Sequence, residues 1–535
     1  MRKRGVFQAL AIATWAGACS GPATRGDALS PDASTGPPPT QTATSGSSGA
    51  SDGASSGGSG GAPANHASGA TAPQGGTAAS GADGGSGAIA PAADGGAAGA
   101  AAVDSDIANL VAGISADRIS QSIQTLVAFG TRSSCSTQTT GSQGIVAARD
   151  WIKSQFDAVP GLTTSLFTYA QTGCSQTLMR DDVVAILPGK QSPKRIVLVG
   201  GHYDSRTISV TDGTSPAPGA NDSGSQTALV LELARAFTAH SFDASLVFVA
   251  FAGEEQGLIG SKALAANVGT LANGGEVVAM LNCDIVGGNT DTNGPTELQE
   301  FRLYSPGTPR EVSATTPDGT PDDTSPSRGL MRYVATWGAA YVPAMTIVPE
   351  LREDRPGRGG DHESFIAAGR PGVRFIETVE SPNAGTTASH EHSPNDLFTY
   401  VTPPYTARVA EVVASVAASL ARAPDAPGSF AVSGNGAGPA LTWTAPGTGA
   451  VHHYVVAARP VTENFYHARV PVDGSKTAAT VTPAALGVDP SAPYFVSVAA
   501  VDAAGHESLF AYPEYRCDAS QCVVPAAATN ITATK

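Results

Sequence analysis

Short apolar runs, each broken by ionisable residues, set the rhythm of the middle of the chain. Ile196-Val-Leu-Val-Gly-Gly breaks into His202-Tyr203-Asp204-Ser205, and Leu246-Val-Phe-Val-Ala-Phe-Ala-Gly breaks into Glu254-Glu255. Runs of this length are too short for helices and predict buried strands. Between them, Gly219-Ala-Asn-Asp222-Ser-Gly-Ser leads into Ala228–Phe237, a stretch of continuous helix formers capped by small polar residues. Strand, loop, helix, strand in that order predicts a parallel sheet, and open α/β sheets bind ligands beyond the carboxyl ends of their strands. His202, Asp222, Glu254 and Glu255 all fall at that edge.

The flanking patterns extend the same architecture. Helical spacing of apolar residues runs from Asp117 to Val127 and from Gly141 to Phe156. Strands are expected at Thr164–Tyr169, Asp182–Leu187 and Lys194–Gly201, then at Glu276–Ile285, Phe301–Tyr304, Ala344–Leu351 and Val373–Glu377. Helices are expected at Ile259–Val268, Gly329–Tyr341 and Thr406–Arg422, with a loop and short helix at Gly359–Gly369 and a polar loop at Gly307–Ser327. The fold class is therefore α/β, a mixed central sheet with helices on both faces.

At Pro424-Asp-Ala-Pro the pattern changes to a period of two: Ala440–Thr444, His453–Arg459, Thr477–Thr482 and Tyr494–Asp502. Several short strands separated by turn signals predict a C-terminal all-β sandwich. The Leu441/Trp443 pair, Tyr454 and Ala499–Ser508 resemble a fibronectin type III domain.

Composition changes the picture at the N-terminus. Arg2-Lys3-Arg4 and the apolar stretch to Ala18 form a secretory leader, and Ala16-Gly17-Ala18-Cys19 fits two cleavage readings. It is a small-x-small site, and it also resembles a bacterial lipobox with Cys19 lipidated, with Ala16 where leucine is usual. Residues 20–103 are almost wholly Gly, Ala, Ser, Thr, Pro and Asp, a tether with nothing to bury. The expected domains are thus 1–19 (leader), 20–103 (linker), 104–423 (α/β domain), 424–516 (sandwich) and 517–535 (tail). A formal net charge of −15 with no basic patch argues against nucleic acid as a partner. The leader predicts an exported protein, and because no apolar run reaches the ~20 residues of a transmembrane helix, it is expected to be secreted or anchored by lipid on Cys19. In that setting disulfides Cys135–Cys174 and Cys517–Cys522 are the economical pairing, with Cys283 reduced inside a strand.

Singly, each ionisable residue has a bland explanation; together they do not. His202, Asp222, Glu255, Asp284 and His392 are nitrogen and oxygen donors suited to Zn²⁺, and carboxylates at the ends of apolar strands are costly to bury without a cation. Five donors, three of them carboxylates, exceed what one tetrahedral ion takes and suit two ions sharing a carboxylate.

His202-x-Asp204, Gly219-Ala-Asn-Asp222-x-Gly-Ser, Phe251-Ala-Gly-Glu254-Glu255-x-Gly-Leu-x-Gly-Ser261, Asn282-x-Asp284 and His392-Ser-Pro-Asn-Asp396 resemble, in order, the motifs of the two-zinc aminopeptidases of clan MH, of the bacterial leucyl aminopeptidase and aminopeptidase Y type. The resemblance spans Ile107–Arg422. It implies two zinc ions per chain bridged by Asp222, with His202 and Asp284 on one and Glu255 and His392 on the other. It also implies Glu254 as the general base, Asp204 and Asp396 as acceptors that orient ligands, and peptides with a free N-terminus as substrates. Asp361 and His362 match a segment at the pocket rim. His390 competes with His392, and the following Ser-Pro-Asn-Asp favours His392. Ser223, where many members carry Asp or Asn, resembles the single-zinc glutaminyl cyclases and keeps that alternative open. A second alternative is a non-catalytic surface-binding protein built around the tether and the sandwich.

Overall fold

The centre of the molecule is an eight-stranded mixed sheet whose middle strands are apolar on both faces. The computed structural model describes residues 103–138, 140–288, 298–305, 325–354, 358–379 and 390–525. The leader, Cys19 and the linker up to residue 102 lie outside the described residues, as do most of the loop expected at Gly307–Ser327 and the last ten residues.

In chain order the elements are α1 (Ser105–Ala112), α2 (Ala116–Ala128), α3 (Gly144–Asp157), β1 (Thr163–Gln171), β2 (Leu178–Leu187), β3 (Ser192–His202), α4 (Gln226–Phe237), β4 (Ala244–Phe251), α5 (Ile259–Ala266), β5 (Glu276–Cys283), β6 (Glu300–Tyr304), α6 (Pro326–Tyr341), β7 (Thr346–Glu350), α7 (His362–Ala367), β8 (Gly372–Glu377) and α8 (Pro403–Arg422). The strand order is β1-β2-β4-β3-β5-β8-β6-β7. Strands β4, β3, β5 and β8 are parallel, while β2 joins β4, and β6 joins β8, in antiparallel pairs.

Why β3 and β4 read as unbroken apolar runs is now plain. Val197 and Val199 face the large core shared with α2, α4 and α8, while Ile196 and Leu198 face a second core holding Leu264 of α5 and Phe365 of α7. Strands covered on both faces have no polar alternation to show. All eight residues of β4 are buried, and burial of one Val, Leu or Phe side chain stabilises by roughly 1.5–3 kcal/mol. Asp104 caps α1 by accepting from the Asp106 amide at 2.7 Å.

The C-terminal strands are β9 (Gly428–Ser433), β10 (Ala440–Thr444), β11 (His453–Pro460), β12 (Arg469–Asp473), β13 (Ala478–Thr480), β14 (Tyr494–Val501), β15 (Tyr515–Cys517) and β16 (Cys522–Val523). They form a three-stranded sheet, β13-β10-β9, and a five-stranded sheet, β12-β11-β14-β15-β16, packed over Leu441, Trp443, Tyr454, Val456 and Val496. Residues 517–523, expected in the tail, instead form part of this sheet: Cys517 and Cys522 are directly paired across β15 and β16 and joined by a disulfide.

The sandwich packs against the amino ends of the central strands. Arg195, early in β3, pairs with Asp425 at 2.9 Å; Arg332 of α6 reaches Glu514 at 3.2 Å and the Asn464 carbonyl at 2.6 Å. His202 closes the same strand, so at ~3.3 Å per residue it lies roughly 23 Å from Arg195.

Candidate metal centre

Each ligand candidate is delivered by a different element at the carboxyl edge of the parallel strands. His202 is the last residue of β3, and Asp284 directly follows β5. Asp222 sits in the turn Ala220–Ser225 that feeds α4, where it and Ser223 leave helical backbone angles. Glu254 and Glu255 follow β4 through Gly253, whose φ of +70° makes the sharp turn and whose missing Cβ spares a collision with the Gln171 amide. His392 comes from the loop before α8 with a positive φ of 55°.

The five donors converge as two triads sharing one residue. His202 Nε2 lies 3.2 Å from Asp222 Oδ1 and 3.3 Å from Asp284 Oδ1. His392 Nε2 lies 2.9 Å from Asp222 Oδ2 and 3.3 Å from Glu255 Oε2. Within each triad the donor atoms all fall within 4.8 Å of one another, a spacing that one divalent ion can span. Asp222 therefore turns one oxygen to each triad. His390, the competing histidine, stacks on Tyr400 with ring centroids 3.6 Å apart.

The electrostatics call for cations. Burial opposes charge on His202 and His392, yet the carboxylates around them push both imidazoles well above their usual pKa. The Asp222 carboxyl is buried, but the two histidines hold it well below the ordinary range. Burial raises Glu254 well above its usual range, aided by Asp284, Glu255 and Asp361 and opposed by His202. A pocket that protonates imidazoles is one in which a divalent cation replaces those protons.

The surrounding residues fix orientation. His202 Nδ1 lies 3.1 Å from the Asp204 carbonyl and 3.4 Å from Asp204 Oδ1, which leaves Nε2 for the triad. Asp396 accepts the amides of Asn221 and Asp222 at 2.8 and 2.9 Å, and burial pushes its carboxyl up to about 7. Asp361 and His362, expected at the rim, are fully buried instead, because the first turn of α7 packs inward with Phe365. Burial raises Asp361 to about 7 and, with Arg374, lowers His362 to about 3. The wall there is Arg358, Gly359 and Glu363, part of a 320 Å³ cavity over the triads that Glu254 also lines.

Several site residues were not legible in the sequence. Arg374 pairs with Asp284 at 2.9 Å and with Asp354 at 3.0 Å; Arg206 Nε donates to Glu255 Oε2 at 2.6 Å, and its Nη2 lies 2.9 Å from His392 Nδ1. An arginine inside the apolar strand Val373–Glu377 was the available signal for the first, since a buried charge needs a partner. Arg206 carried none. Both expected disulfides form, Cys135–Cys174 with Cα atoms 5.3 Å apart and Cys517–Cys522 at 4.0 Å, and Cys283 is reduced and buried. No helix among the described residues is long and apolar enough to cross a membrane.

Residues 182–417 match the model of peptidase family M28. Over 390 residues the chain is 36% identical to a probable zinc metalloprotease of Leptosphaeria maculans, covering 68% of this chain and 88% of that protein. A probable zinc metalloprotease of Pyrenophora tritici-repentis is 37% identical over 348 residues, covering 61% of this chain and 78% of that one. Among solved structures, the LapA aminopeptidase of Legionella pneumophila aligns at 20% identity over 59% of this chain and 75% of its own, with a TM-score of 0.43.

Proposed function

Since the chain belongs to peptidase family M28 and is a zinc metalloprotease, we propose that it is an exported aminopeptidase that holds two zinc ions. The observation that carries this reading is Asp222, whose two oxygens serve separate triads, Oδ1 toward His202 and Oδ2 toward His392. Zinc bound there supplies a Lewis acid that acidifies water and polarises a scissile carbonyl.

The chain's own groups do the rest. Glu254 lines the cavity beside the ligands, and burial, aided by its acidic neighbours, keeps it basic enough to take a proton from water and return it to the leaving amine. Asp204 holds the tautomer of His202, and Asp396 holds the turn of Asp222. Export is supported by the leader pattern, with Cys19 as a lipidation point, and by two disulfides, which persist in oxidising compartments. The sandwich, fibronectin type III-like in its strand pattern, then serves as an appendage at the end of the central strands opposite the triads.

The test is hydrolysis of an aminoacyl anilide by the full chain, set against its N-blocked counterpart and a Gln-peptide, with zinc measured per chain. Turnover of the free-amine substrate alone, with two zinc ions, is expected; pyroglutamate formation with a single zinc would replace the reading with a cyclase. Glu254→Gln should keep zinc and fold while lowering kcat by about 10²- to 10⁴-fold.

A further inference from the structure

A buried arginine outside the ligand set ties the two ligand-bearing turns together. Arg132 lies between α2 and α3 and has no solvent exposure. Its Nε donates to the Tyr203 carbonyl at 2.7 Å; its Nη1 donates to the carbonyls of Leu126 at 3.0 Å and Pro218 at 2.6 Å. Its Nη2 donates to the Gly219 carbonyl at 2.8 Å and to Ser223 Oγ at 3.3 Å. Those five bonds use every N–H of the guanidinium, and none of the acceptors is a carboxylate.

The placement is costly, since a buried cation with no ion-pair partner in contact gives up its hydration. The carboxylates of Asp396, Asp204 and Asp222 offset it through space. What the guanidinium gains is position. Tyr203 adjoins His202, whereas Pro218, Gly219 and Ser223 frame Asp222, so one rigid fork spans the end of β3 and the turn before α4. Gly219 lets the chain pass through this crowded corner: its φ is +53°, and a Cβ there would meet the Asp222 carbonyl oxygen and Ser205 Cβ at 2.6 Å, and Arg132 Nη2 at 2.9 Å. The segment is pinned beyond Arg132 as well. Ser134 donates to Asp204 Oδ2 at 3.3 Å and accepts the Gly253 amide at 2.9 Å, and Cys135 carries the disulfide to Cys174.

We propose that Arg132 is a positioning residue that sets zinc affinity by holding His202 and Asp222 in register, the pair being 3.2 Å apart. The proposal rests on the reading that these two residues ligate zinc. Lysine keeps the charge but offers three donors from one atom and cannot bridge both turns. In the full chain, Arg132→Lys should weaken zinc binding by about 10- to 100-fold in chelator competition, the usual loss when a ligand-orienting contact is removed. Arg459→Lys, which alters a fully buried arginine in the sandwich, should lower Tm while leaving zinc affinity unchanged. Unchanged zinc affinity in Arg132→Lys, with a lowered Tm in the chelated protein, would show a purely structural residue and overturn the proposal. Should Arg132→Lys not fold, Arg132→Gln, which keeps a polar side chain but cannot span both turns, is the second variant, with weakened zinc expected and unchanged zinc overturning the proposal. A wild-type chain that takes up no zinc sinks the metal reading itself, and this inference with it.

Discussion

Asp222 is gripped from two directions. Asp396 takes its amide and that of Asn221, while Arg132 takes the carbonyls on the other side of the turn. Its two oxygens then meet different partners, which makes the triads unequal in their dependence on single residues. Where two zinc ions share this carboxylate, as proposed, Asp222→Ala should lose both, whereas His392→Ala should lose one and retain the other. Elemental analysis after dialysis distinguishes them, and equal zinc loss in the two variants would mean that the carboxylate does not bridge. At this scale the sequence showed what is common to strand ends, the histidines and acids that break apolar runs. It did not show Arg206 or Arg132, because a lone arginine in a polar loop looks like solvated surface until the fold closes over it.

Among the elements, the two disulfides close loops of very different length, 39 and 5 residues apart in sequence. The chain-entropy relation makes Cys135–Cys174 worth about 4 kcal/mol and Cys517–Cys522 about 2 kcal/mol. Cys174→Ser should therefore shift the urea midpoint more than Cys522→Ser. It should also reduce turnover, because the Cys135 segment carries Ser134 onto Asp204 and the Gly253 amide. Unchanged turnover in Cys174→Ser would show that Ser134 keeps its place without the cross-link. The long buried strands β3 and β4 were legible because both faces are apolar. The beginning of β2 at Leu178–Arg180 was not, since Arg180 is polar in sequence and is buried only because it reaches the carbonyls of Ser134 and Ser136.

Across the whole molecule, charge holds the sandwich to the α/β domain. His506 lies 2.8 Å from Asp502 of its own loop and 2.7 Å from Asp104 at the start of α1, which also pairs with Arg422. Burial works against charge on His506, but the two carboxylates raise its pKa. Asp104 is partly buried, yet His506 and Arg422 lower it to about 2. The signs follow from linkage. The His506 contribution is complete below its unfolded pKa of about 6.5 and is lost as pH rises through the raised folded value. The Asp104 contribution is complete above its unfolded pKa of about 3.9 and is lost as pH falls through the lowered one. Urea stability measured from about pH 6 to about pH 9 should thus fall more steeply in the wild type than in His506→Gln. Parallel profiles would mean that the histidine is not charged in the folded chain.

By itself the sequence determined the strands of the central sheet apart from the start of β2, the order of the motifs, the five donors and the disulfide pairs. Each of these follows from local composition: apolar runs must be buried, and acids or imidazoles at their ends must find partners. Only the tertiary structure decided that Asp222 faces two triads at once, that Asp361 and His362 are buried rather than at the rim of the cavity, and that the sandwich packs at the opposite end of the strands from the two triads. Those facts depend on how elements far apart in sequence approach one another, and a buried guanidinium or a shared carboxylate acquires its partners only at that step.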